Sequence, residues 1–120
     1  MRVFNLKDVQ HKELSSDREK FSLSAVLTDL IGFEKVFIHH DIIPQGRHSS
    51  SPHSHSLKEE MVIVLEGYPT AHLGDIAKKL KPGDFVGFKA GEIHYLENTA
   101  SVDAHLLVIC SKDDKDIITY

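Results

Sequence analysis

The chain has 120 residues, 41% hydrophobic and 27% charged, which suits one domain with a real core and excludes a disordered segment. Its formal net charge is −4, and its 14 Lys and Arg are scattered, so the basic stripe that nucleic-acid binding needs is missing. Cys110 is the single cysteine, which rules out an intrachain disulfide and fits a reducing compartment.

The opening residues, MRVFNLKDVQ, carry no signal-peptide pattern, and no stretch approaches the ~20 apolar residues that span a membrane. The expected location is the cytoplasm. Residues 6–20 are the only segment whose pattern admits a helix. Phe21 to Leu30 alternates, with Phe21, Leu23, Ala25 and Leu27 on one face, and reads as a strand. Residues 35–43, KVFIHHDII, form another β run that ends at Pro44-Gln45-Gly46. Val36, Ile38, His40 and Ile42 share its more apolar face, opposite Lys35, His39 and Asp41. His40 is therefore expected to point inward, as a satisfied core histidine or a substrate contact.

Met61 to Leu65 is apolar on both faces and ends at Gly67. Its outward set, Met61, Ile63 and Leu65, needs a cover from another strand layer, the N-terminal segment or a second subunit, the last of which would make a homodimer. Gly74-Asp75 joins residues 71–73 to 77–80 as a hairpin. Pro82-Gly83-Asp84 precedes a strand over Phe85 to Phe88, and Ala90-Gly91-Glu92 precedes one over His94 to Asn98. The last strand spans Val102 to Cys110, with Cys110 on the face of Ala104, Leu106 and Val108 as a small buried hydrophobe and His105 outside. Many short strands at regular spacing predict an all-β sandwich or barrel.

Nine histidines are the unusual figure. In SPHSHSLKEEMVIVLEG, residues 51–67, His53 and His55 leave the same face of an extended chain. Imidazole with carboxylate suits Fe, Mn, Ni, Cu or Zn. Alternation alone does not choose between Glu59 and Glu60. The plain alternative is a solvated Ser/His loop before a charged strand start. In GDFVGFKAGEIHYLEN, residues 83–98, His94 stands on a strand four residues before Asn98.

Together the two stretches resemble the motifs of the cupin superfamily. The first, residues 46–67, maps onto Gly46, His53, His55, Glu60 and Gly67, and the spacing to Gly67 selects Glu60. Six residues rather than five separate Gly46 from His53. The second, residues 83–98, maps onto Gly83, Gly91, His94 and Asn98, with Lys89 where the motif has proline. VLEGYPT, LKPGD and GFKAG look like phrases of small single-domain cupins. The resemblance implies one domain over residues 1–120, folded as a double-stranded β-helix of two antiparallel sheets. It also implies His53, His55, Glu60 and His94 as ligands of a divalent transition metal.

Four protein ligands leave about two positions open on a metal that prefers six. The expected function is a dioxygenase, isomerase or decarboxylase acting on a small oxygen-rich molecule; a non-catalytic module that binds a small molecule through the metal is the alternative. Arg47 is the one arginine near the motif for an anionic substrate. A sugar-phosphate isomerase, which must hold a dianion, is not favoured by these residues.

Overall fold

Turn residues cut the chain into strands of two to eight residues, and pairing between them builds the fold. The computed structural model describes residues 1–13 and 20–120. Its strands are β1 (Lys12–Glu13), β2 (Leu23–Val26), β3 (Val36–Ile43), β4 (Ser54–His55), β5 (Glu60–Glu66) and β6 (Thr70–Leu73). They continue with β7 (Ile76–Lys79), β8 (Phe85–Phe88), β9 (His94–Glu97), β10 (Ala104–Ser111) and β11 (Ile118–Thr119). The large sheet has the order β1-β2-β3-β10-β5-β8, and the smaller ones are β7-β6-β9 and β11-β4. His53 and His94 exchange main-chain N–H···O bonds of 3.2 and 2.9 Å, which knits the smaller sheets into one opposing layer. Every strand pair is antiparallel, the all-β, two-sheet arrangement that the spacing predicts.

The core lies between the layers. Along β5, Val62 and Val64 are buried against Leu106 and Val108 of β10, with Phe88 and Leu96 closing the cluster. Burial of each such side chain contributes about 1.5–3 kcal/mol. Met61, Ile63 and Leu65 take the other face, where Leu65 is 39% exposed. Asn98 is fully buried and serves structure: its amide donates to the carbonyls of Ile43 and Val102, and its oxygen accepts from the Ala100 N–H. Gly67 ends β5 with φ +84°, and a Cβ there would lie 2.5 Å from the Asp103 carbonyl oxygen and 2.7 Å from the Ala104 Cα.

Three sequence expectations change. The strand expected over Phe21 to Leu30 stops at Val26, where a helical turn α1 (Leu27–Ile31) begins. The Thr28 hydroxyl donates to the Val36 carbonyl and accepts from the Ile38 N–H, fastening that turn to β3. Gly32, at φ 85°, closes it in the left-handed conformation. Of the helix admitted over residues 6–20, the described part is a 3-10 turn at Leu6–Asp8 followed by β1; residues 14–19 lie outside the described residues.

The third change is the facing of β3. Phe37, His39 and Asp41 look into a cavity between the layers, and His40 takes the opposite face. The apolar set faces outward because the space inside is partly polar, so the rule that apolar means inside selects the wrong side here.

His40 is nonetheless only 4% exposed. Its Nδ1 lies 2.7 Å from His11 Nε2, and His11 Nδ1 faces the Val9 carbonyl. With His11 Nδ1 donating to Val9, His40 Nδ1 is the donor to His11 Nε2. Burial first, then the neighbouring His11 and His105, lower the His40 pKa from 6.5 to about 4. A lowered imidazole value means that the unfolded chain takes the proton first as pH falls. Neutral His40 therefore contributes its full stability above about pH 6.5 and loses it progressively down to about pH 4. A shift of this size corresponds to at most about 3 kcal/mol. His40→Gln should flatten that part of the stability–pH curve in urea titrations; a curve parallel to wild type would contradict the assignment.

Candidate metal centre

Three short stretches converge at one end of the cavity. The extended chain around β4 sends His53 and His55 to the same side, with ring centroids 5.0 Å apart. Glu60 enters as the first residue of β5 and His94 as the first of β9. One ligand atom from each of these four residues lies within 4.8 Å of the others. Glu60, not Glu59, brings the carboxylate.

The ring orientations carry the chemistry. His53 Nδ1 donates to the Ser51 carbonyl at 2.9 Å, and His94 Nδ1 donates to the Glu92 carbonyl at 2.9 Å. His55 Nδ1 donates to Asp116 Oδ2 at 2.7 Å. Each imidazole is thus held through Nδ1, which leaves Nε2 as the nitrogen free for an ion, an arrangement common among metal-binding histidines. Phe88 stacks on the His94 ring at 4.1 Å and 10°, holding its plane.

The charges suit a cation. Burial works against ionisation of Glu60, but the hydrogen bond and charge of His94 outweigh it and lower the pKa. His94 is the counterpart: burial would lower it, and the 2.7 Å bond to Glu60 raises it. Burial holds the His53 pKa below its ordinary value, favouring the neutral, ligating form. Asp116 also accepts the Leu57 and Lys58 N–H groups. Against its burial, His55 and these two amides pull its carboxyl down to about 2. Three imidazole nitrogens and one ionised carboxylate fit Fe, Mn, Ni, Zn or Cu.

The cavity beside the cluster has a volume of about 340 Å³. Leu106, Val108 and Cys110 form its floor, on the face expected for Cys110, and burial, then Glu60, push the thiol pKa up. Neither residue expected to contact substrate lines this cavity. Arg47 donates to the Glu13 carboxylate at 3.2 and 3.3 Å and to the Phe21 carbonyl at 3.3 Å, so it ties β1 to the barrel. His40 sits on the far side of β3, as described above. Lining the cavity instead are His39, Asp41 and Lys58, which the sequence reading left outside the site. Asp116 was missed as well, because only the β4–β11 pairing brings residue 116 to His55.

The model of the cupin domain family matches residues 39–110. The chain is a cupin. Among solved structures, this cupin is similar to a protein provisionally named a sugar phosphate isomerase from Acidithiobacillus ferrooxidans. The identity is 27% and the TM-score 0.86, over 98% of this chain and 80% of that one. It is also similar to a sugar phosphate isomerase of the cupin superfamily from Silicibacter pomeroyi, at 22% identity and TM-score 0.90, over 99% and 81% of the two chains. The polyketide cyclase RemF from Streptomyces resistomycificus shares the fold at 20% identity and TM-score 0.81, over 100% and 86%. No curated protein matches this cupin.

Proposed function

We propose that this cupin, read as one domain over residues 1–120, holds a divalent transition metal through His53, His55, Glu60 and His94. Beside it the protein transforms a small oxygen-rich molecule, with isomerase, decarboxylase and dioxygenase chemistry in range. The observation that carries this reading is the set of three imidazoles held through Nδ1, with His94 Nε2 2.7 Å from the Glu60 carboxylate and one ligand atom of each of the four residues within 4.8 Å of the others. The adjoining cavity supports a working site, because a purely structural metal is normally enclosed by its ligands. When bound, the metal would supply Lewis acidity toward a carbonyl or carboxylate oxygen. The chain's residues fix the ring planes, and Leu106 and Val108 give the cavity an apolar floor.

The sugar phosphate names of two neighbours keep isomerisation in view despite the occupied Arg47, and Lys58 is the lysine on the cavity wall. Cytoplasmic location and pairing of two copies through Met61, Ile63 and Leu65 belong to the same reading. The test is metal analysis of untagged protein purified without chelator, with a turnover scan of keto acids, diols and sugars under oxygen monitoring. Near-stoichiometric metal with turnover of one class supports the proposal. Metal-free protein that also refuses added metal rejects it.

A further inference from the structure

We infer that His39 and Asp41 form a proton-transfer pair facing the metal centre, and that its substrate is a small compound with a hydroxyl on the carbon next to a carbonyl. The inference rests on the metal-centre reading above and names the chemistry of that site.

Both residues line the cavity that holds the four-residue cluster. His39 Nδ1 donates to Asp41 Oδ1 at 2.7 Å, and Asp41 is 3% exposed. His39 Nε2 makes no hydrogen bond among the described residues, so the ring offers one free nitrogen beside its carboxylate. Phe37 packs on the ring at 5.4 Å. Register fixes how far this pair stands from the cluster. His39 of β3 pairs with Val108 of β10, which pairs with Val62 of β5, two residues beyond Glu60. Two strand spacings place the backbones of β3 and β5 about 10 Å apart. Two inward side chains across that gap leave room for a molecule of a few heavy atoms.

Such a pair is built to move a proton. Neutral His39 takes the hydrogen of the hydroxyl-bearing carbon, and that C–H electron pair becomes the C=C bond of an enediol. The carbonyl π pair moves onto its oxygen, which takes a proton from a cavity water. Returning the proton from His39 to the neighbouring carbon, while the other hydroxyl gives its hydrogen to the hydroxide so formed and restores the water, yields the isomeric hydroxycarbonyl. No oxidant or reductant is consumed. Asp41 remains ionised and is a positioning residue that steadies the imidazolium. Burial disfavours the charged ring, but Asp41 outweighs it and raises the His39 pKa above its ordinary value. The other ionisable groups on the cavity wall are Glu60, the three clustered histidines, Lys58 and Cys110.

The experiment uses glyceraldehyde, dihydroxyacetone and their phosphates in deuterated water with metal-loaded protein, followed by proton NMR. Wild type should exchange the hydrogen next to the carbonyl. His39→Gln should keep wild-type metal content and melting temperature yet exchange at least 100-fold more slowly. Asp41→Asn should lower the pH midpoint of exchange. In metal-free protein it should also lower the titration midpoint of the 15N-labelled His39 ring. Wild-type exchange by His39→Gln, an unmoved midpoint in Asp41→Asn, or no exchange of any probe by metal-loaded wild type overturns the pair. Wild type that takes up no metal overturns the metal centre itself, and this inference with it.

Discussion

Glu60→Gln and His94→Ala are expected to weaken metal binding more than 100-fold in calorimetric titrations of metal-free protein. Each removes one of four ligand atoms held within 4.8 Å of one another. The glutamine keeps the shape of Glu60 but withdraws the negative charge that His94 faces and that a bound cation would face. Asp116→Asn should produce a smaller loss, about 10- to 100-fold, because it disturbs a ligand's orientation and leaves the ligand in place. Glu59→Gln should leave affinity at the wild-type level. Equal losses in the Glu59 and Glu60 variants would reject the ligand assignment, since a general charge effect would then explain both.

Gly67→Ala should cost about 3–5 kcal/mol in denaturant unfolding. An alanine at φ +84° carries left-handed strain of about 1–2 kcal/mol. Its Cβ would also meet the Asp103 and Ala104 backbone at 2.5 and 2.7 Å, so the start of β10 must move. Gly91→Ala is the comparison, because Gly91 has φ +87° and open space around its missing Cβ. It should lose only about 1–2 kcal/mol. Similar losses at the two sites would mean that conformational strain, not the tight crossing of backbones, gives Gly67 its importance.

The four clustered residues were legible because their signals are local. His53 and His55 share a face by strand geometry, and the six residues from Glu60 to Gly67 match the spacing of the cupin motif. Strand positions were legible from punctuation at Pro44-Gln45-Gly46, Gly74-Asp75 and Pro82-Gly83. What was hidden depends on the surroundings. The facing of β3 was misjudged because Val36, Ile38 and Ile42 are the outer set of the sheet, while the polar His39 and Asp41 line the cavity among apolar neighbours. That error concealed His39 and Asp41 and promoted His40. Arg47 is near the motif in sequence, but its charge is taken by Glu13 of β1, a pairing no local pattern encodes. The helical turn at Leu27 was hidden too, because it depends on the Thr28 hydroxyl finding β3 ten residues later.

Asp116 follows His94, the last of the clustered residues, by 22 positions. Only the pairing of β11 with β4 carries that carboxylate to His55. Fraying of this two-residue strand would release the ring it orients, so the order of the proposed centre depends on how firmly the C-terminal strand is held.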